Sequence, residues 1–227
     1  MPLRQRQKVQ EMPWSGSVNR FFVIDGIDGA GKSTQISLLT ETLQREGHPV
    51  VKVRDPGGTE LSDRIRAVLL SPSTPVSPMA ELCLYAASRA QLVQEIIRPA
   101  LEAGKVVVSD RFTWSTFAYQ GYGRGIAAKS IEELEDIACG GILPAHIFVL
   151  DLDPSKRLAR LNQRLSEKGG NAPDRLELEG DAFFQRVRDG FLALSRQHPG
   201  FSTVLNATEP PEVLHAAIAA KVRGLLA

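Results

Sequence analysis

The sequence predicts an α/β fold, a five-stranded parallel sheet flanked by helices. Three observations point to it. Five short apolar, β-branched runs, RFFVID (20–25), PVVKVR (49–54), KVVVSD (105–110), AHIFVLD (145–151) and FSTVLN (201–206), are bounded by turn or charged residues, as strands buried on both faces are. Helical patterns fill the intervals at 32–46, 61–70, 79–103, 130–139, 154–168, 180–198 and 211–226. Strand alternating with helix implies parallel pairing through right-handed crossovers. Third, a glycine-rich turn, GIDGAGKST, joins the first run to the first helix.

In chain order, the first strand ends at Asp25 and the helix after the turn carries Leu38, Leu39, Thr42 and Leu43. The second strand ends at Arg54, followed by Asp55 and the Pro56-Gly57-Gly58-Thr59 turn. The segment from 79 presents Leu82, Tyr85, Ala86, Val93, Ile96 and Ala100 as one apolar stripe that contains Arg89. The third strand ends at Asp110-Arg111 and the fourth at Asp151. Polar residues thus gather at the carboxyl ends of the strands, where open α/β sheets place their sites.

At 227 residues and 43% hydrophobic, the chain suits one domain, residues 20–227, preceded by a polar arm over 1–19 expected to be disordered. Twenty-seven basic residues against 26 acidic ones leave no charge excess to drive binding to nucleic acid or to a membrane surface. Cys83 and Cys139 have neither metal-site nor disulfide-framework spacing and read as free thiols. With no apolar run of spanning length and no secretory leader pattern, a cytoplasmic location is expected.

Gly26-Ile27-Asp28-Gly29-Ala30-Gly31-Lys32-Ser33 spells G-x-x-x-x-G-K-S between a strand and a helix. Both contexts that give this phosphate loop meaning are therefore present. Its backbone N–H groups and the helix N-terminus, through Thr34, face a nucleotide β-phosphate. Lys32 reaches the β and γ oxygens, and Ser33 with Asp110 is placed to hold Mg2+. A guanine-reading N-K-x-D is absent, so a small phosphotransferase using ATP is expected. Its acceptor needs a second anion-tolerant pocket. Arg54 and Arg111 at strand ends either bind that phosphate or form surface ion pairs. Tyr85 and Arg89, four apart on one helical face, either present a plane and donors to a base or simply pack. Thr116, Tyr119 and Gln120 follow Arg111 with hydroxyl and amide groups.

The stretches FFVIDGIDGAGKSTQ, RDPGGTELSDRIRAVLL, LYAASRAQL, SDRFTWSTFAYQGYGRG, DRLELEGDAFFQRVRDGFLAL and NATEPPEVL, in this order and spacing, resemble the thymidylate kinases, a family of P-loop nucleoside monophosphate kinases. The resemblance runs from about Arg20 to the C-terminus. It implies ATP and dTMP as substrates, Mg2+ as cofactor and a homodimer. It implies that Arg89, Thr116 and Gln120 hold thymine, Tyr85 stacks on it, Tyr119 lies against the deoxyribose, and Arg54 and Arg111 grip the acceptor phosphate. Asp28, an acid inside an anion loop, would then point to the acceptor sugar. A lid over about 157–176 would close on ATP and supply an arginine, Arg164 first and Arg160 second, as in bacterial-type members; Asn206 to Thr208 would lie beside the adenine. Three features depart from the family pattern: Tyr85 stands where phenylalanine is common, Asp55 where glutamate usually precedes Pro-Gly-Gly, and the lid is longer. The alternatives are a deoxynucleoside kinase, in which Asp55 would act as base on a hydroxyl acceptor, and a nucleotide-binding regulator without turnover.

Overall fold

The computed structural model describes residues 20–168 and 174–227, without the side chains of 162–168. The expected arm at 1–19 and the glycine-containing part of the expected lid lie outside the described residues. The five strands are β1 (Phe21–Asp25), β2 (Val50–Arg54), β3 (Val106–Asp110), β4 (His146–Asp151) and β5 (Ser202–Asn206). They pair in parallel in the order β2-β3-β1-β4-β5. All five fall on the predicted runs. β1 is buried throughout, whereas the edge strands β2 and β5 are partly exposed, because an edge strand has a neighbour on one side only.

The helices are α1 (Lys32–Arg45), α2 (Glu60–Leu70), α3 (Pro78–Leu92), α4 (Arg98–Glu102), α5 (Thr113–Thr116), α6 (Ala128–Cys139), α7 (Pro154–Lys168), α8 (Asp181–Gln197) and α9 (Pro211–Leu226). The pattern over 79–103 is one helical rod with a π-helical segment, Val93–Ile97, between α3 and α4. That wider turn lies just before Pro99, whose ring removes a donor and crowds the preceding turn. A second π segment, Phe117–Gly123, continues α5.

After β1 the chain crosses to β2 and after β3 it crosses to β4, so the two loops leave the sheet in opposite directions. A crevice opens at the carboxyl ends of β1 and β3. Register fixes what meets there: Ile24 lies opposite Asp110, and Arg54 opposite Asp110 on the other side. Beneath the crevice the core is aromatic, with Phe21, Phe22, Phe112, Phe148, Phe184 and Phe191 almost wholly buried.

The π segment and α8 approach so closely that each needs a glycine. A Cβ on Gly190 would lie 2.8 Å from the Tyr122 ring, and one on Gly123 would lie 2.6 Å from Phe183. Gly190→Ala is therefore expected to cost about 1–3 kcal/mol in a denaturant titration, through overpacking of the element that carries Tyr119 and Gln120.

Candidate active site

The phosphate loop wraps the start of α1. Gly26, Gly29 and Gly31 have φ of 132°, 81° and 94°, which L side chains seldom adopt. At Gly26 a Cβ would also meet the Leu150 carbonyl oxygen at 2.5 Å. Ile27 and Ala30 are buried and anchor the loop, leaving Gly31, Ser33 and Thr34 exposed at the helix start. α1 has no acidic residue in its first turn and no side-chain cap, so its dipole and N–H groups face outward toward an anion. Lys32 Nζ donates to the Gly26 and Ile27 carbonyls at 3.2 and 3.1 Å. Burial and the nearby Arg111 lower the Lys32 pKa.

Ser33 Oγ lies 3.5 Å from Asp110 Oδ2. Asp110 Oδ1 is buried without a hydrogen-bond partner among the described residues. A hydroxyl beside an unsatisfied carboxylate oxygen at the mouth of a phosphate loop is a hard-oxygen donor set, and it fits Mg2+.

Arg111 is the hub of the crevice. It is the described non-glycine residue with positive φ, 69°, a conformation that costs energy and concentrates at functional sites. Its Nη1 donates to Asp25 Oδ1 at 3.2 Å, Gly26 O at 2.8 Å and Ser115 Oγ at 3.0 Å. Its Nη2 donates to Asp28 Oδ1 at 2.7 Å and to Tyr119 Oη at 3.0 Å. Tyr119 Oη donates in turn to Asp28 Oδ2 at 3.3 Å. Burial would raise the Asp28 pKa, but Arg111 and Lys32 outweigh it and hold the carboxyl well below the usual range. Asp25, fully buried, is pushed upward by desolvation despite Arg111.

Beyond this hub is a pocket with an empty volume of about 500 Å³, counting its open mouth, a size suited to a small molecule. Asp28, Tyr85, Arg89, Arg111, Thr116, Tyr119 and Gln120 all line it. Arg89 is 1% exposed. Its Nε donates to Asp55 Oδ2 at 2.5 Å, its Nη1 to Thr116 Oγ1 at 2.8 Å and to Glu135, and its Nη2 to the Phe112 carbonyl at 3.3 Å. The five N–H bonds of a guanidinium are thus nearly all committed, leaving one on Nη2. Gln120 Nε2 donates to Glu81 Oε1 at 2.8 Å.

Other expected residues sit elsewhere. Arg54 does not line the pocket; its half-exposed side chain pairs with Asp63 at 3.4 Å. Arg66, twelve residues on, lines the pocket and donates to the Pro56 carbonyl at 3.0 Å. Sequence reasoning missed it, although it lies in the quoted stretch RDPGGTELSDRIRAVLL. Glu81 and Glu135, buried partners of Gln120 and Arg89, were also missed; a charged residue on the apolar face of a predicted helix was the available signal. Arg160 bridges the Gly29 carbonyl at 3.3 Å and the Ala207 carbonyl at 2.9 Å, tying the phosphate loop to the segment Asn206 to Thr208. The Arg164 side chain lies outside the described residues. Asp174 and Leu176 complete the pocket rim.

Burial pushes the Asp55 carboxyl from an ordinary 3.8 to about 6 despite Arg89. Between those values the folded chain binds more protons at Asp55 than the unfolded chain does, so this residue's contribution to stability falls as pH rises through the window. Asp28 acts oppositely: its contribution is present above about pH 4 and is lost as pH falls. In denaturant titrations across pH, Asp55→Asn is expected to flatten the decline between about pH 4 and 6, by about 1–3 kcal/mol. Asp28→Asn is expected to flatten the loss on the acid side.

Comparison with known proteins agrees with this arrangement. A profile of the thymidylate kinase family matches residues 24–218. A thymidylate kinase of Trichlorobacter lovleyi is 46% identical over 208 residues, covering 91% of this chain and 98% of the relative. One of Chlorobium chlorochromatii is 44% identical over 203 residues, covering 87% and 91%. The crystal structure of thymidylate kinase from Ehrlichia chaffeensis superposes with a TM-score of 0.72 at 30% identity, covering 90% of this chain and 98% of that one. With a phosphate loop, a second pocket across Arg111 and this likeness over nearly its whole length, the chain belongs to the thymidylate kinase family of nucleoside monophosphate kinases.

Proposed function

We propose that the protein transfers the γ-phosphoryl group of ATP to dTMP, giving ADP and dTDP. The observation that carries this reading is the Arg111 hub, in which one guanidinium reaches both the phosphate loop, at Gly26, and the acceptor pocket, at Asp28 and Tyr119. A phosphate bound on that guanidinium lies next to the γ-phosphate held by Lys32 and the start of α1. The thymine then occupies the far end, against Tyr85, Thr116, Gln120 and the remaining N–H of Arg89. Arg66, at the rim, is a better-placed second cation for the acceptor than Arg54.

A monophosphate with a second pKa near 6 presents an anionic oxygen, so the acceptor needs no general base. Positioning and charge neutralisation carry the reaction. Asp28 accepts from the sugar hydroxyl and keeps Arg111 and Tyr119 in place. Mg2+, held by Ser33 and Asp110, would neutralise charge on the ATP phosphates when bound. The segment over about 157–176 acts as a lid that excludes water and brings Arg160 and Arg164 to the ATP side. The family also supports a homodimer, and a cytoplasmic location is consistent with the absence, among the described residues, of a helix long and apolar enough to cross a membrane.

The test is ADP release with ATP and Mg2+ across nucleoside monophosphates and free thymidine. Turnover with dTMP and none with thymidine is expected, abolished by chelating Mg2+. Transfer to thymidine but not dTMP, or tight ATP binding without any turnover, would overturn the reading. Arg111→Ala is expected to lower kcat/KM for dTMP by about 10²–10³-fold, as loss of a preorganised charge donor does.

A further inference from the structure

Glu81 has no place in the phosphoryl-transfer chemistry, yet it is a fully buried carboxylate beside the acceptor pocket. It sits on α3, 0% exposed, among two arginines and one amide. Gln120 Nε2 donates to its Oε1 at 2.8 Å. Arg124 spans both oxygens at 3.2 Å each, and Arg175 Nη2 lies 2.6 Å from Oε2. Both arginines are themselves anchored, Arg124 on Glu179 and Arg175 on the Leu69 carbonyl at 2.9 Å. Glu81 is therefore fixed from three sides.

The chemistry of the pair decides which end of the Gln120 amide faces which way. An ionised carboxylate only accepts hydrogen bonds, so the amide must offer it the NH2 group. The amide oxygen is then left for the pocket that Gln120 lines. Next to it, Thr116 Oγ1 already accepts from Arg89 Nη1, so its hydroxyl hydrogen is available, and Arg89 retains one N–H. All three residues line the same pocket, so its lining has one acceptor and two donors to offer a base. Thymine shows the complement, an N–H at ring position 3 flanked by two carbonyl oxygens. Cytosine carries a lone pair at that position and an amino group beside it, so it would meet acceptor against acceptor and donor against donor.

We infer that Glu81 is the positioning residue for base selectivity: by holding the Gln120 nitrogen it points the Gln120 oxygen at the base and so favours a pyrimidine with an N–H at position 3 over one without. The inference rests on the dTMP reading above and adds the residue that sets the orientation of the amide.

Glu81→Gln tests it with an isosteric change. One arginine group faces the Oε1 position and two converge on Oε2, so the new amide places its oxygen at Oε2 and its NH2 toward Gln120. Gln120 must then turn its oxygen to that NH2 and its own NH2 to the pocket. The readout is the ratio of kcat/KM for dTMP to that for dCMP. It is expected to fall about tenfold or more, while ATP binding, followed separately, is unchanged. In a Gln120→Leu background the same substitution is expected to leave the ratio unaltered, because the effect passes through Gln120. Glu81→Asp, which keeps a charge between the arginines but withdraws the oxygen from Gln120, is the second variant, in case Glu81→Gln does not fold, and is expected to relax the ratio in the same direction. A ratio within about twofold of wild type in the folded variants, or an equal change in the Gln120→Leu background, overturns the inference while leaving the dTMP reading intact. A wild-type chain that does not phosphorylate dTMP overturns both.

Discussion

The geometry of the crevice depends on one guanidinium held in a strained backbone position at the end of β3. Arg111 turns away from the strand with φ of 69°, and its amide donates to the Ile24 carbonyl of β1 at 3.2 Å. The sheet register therefore dictates where its side chain starts. From there the side chain crosses to Asp25 and Asp28 on one side and to Ser115 and Tyr119 on the other. A one-residue slip between β1 and β3 would turn every side chain of the strand to the opposite face and separate the two halves of the site. The wholly buried strands at the centre of the sheet, with no soluble face to which they could slip, make that register costly to change.

Such a site is a burden on the fold. Arg89 with Asp55 and Glu135, Glu81 with Arg124 and Arg175, and Arg111 with Asp25 are all ion pairs with at least one member deeply enclosed. Desolvating such charges costs several kcal/mol per ion, and an apolar replacement is often as stable or more so. What offsets the cost here is the aromatic layer beneath them. Arg89 lies 5.4 Å from the Phe112 ring centre, Arg111 4.9 Å from that of Tyr119 and Arg124 4.8 Å from that of Phe183, so guanidinium faces are covered by rings while their edges donate. Tyr119 packs edge-on against Phe183, Phe184 and Phe191, which fixes the height of its hydroxyl beside Asp28. Charge placement at the top of the sheet is in this sense a product of packing below it.

The same division explains what was legible in the sequence. Strands, most helices and the phosphate loop depend on local spacing, and they lie within a residue or two of the expected positions. The π segments were not legible, since an i→i+5 turn leaves no clear mark on an apolar stripe. Nor were the partners of Arg89: Asp55 and Glu135 are 34 and 46 residues away in sequence, and only the fold brings them together. An isolated arginine on an apolar stripe was compatible with a free fork of donors; the structure makes it a nearly saturated one. Arg54 and Arg66 show the same limit at short range. Both belong to one quoted stretch, but Arg54 ends an edge strand, where it finds Asp63, and Arg66 lies on the turn of α2 that faces the pocket.

An acid in the middle of an anion-binding loop becomes intelligible in these terms. The loop has two sides, and Asp28 lines the acceptor pocket while the helix start opens toward the other nucleotide. Asp28 is one of three aspartates in that lining, with Asp55 and Asp174, against three arginines, Arg66, Arg89 and Arg111. A lining balanced in this way, in a chain of net charge +1, cannot attract a phosphate dianion by bulk potential. It has to rely on donors aimed at particular oxygens, and the acids aim them: Asp28 orients Arg111 and Tyr119, Asp55 orients Arg89. Removing an acid to make the pocket more positive would strengthen the average field and loosen the directions. For a reaction carried by alignment rather than by proton transfer, direction is the quantity that matters.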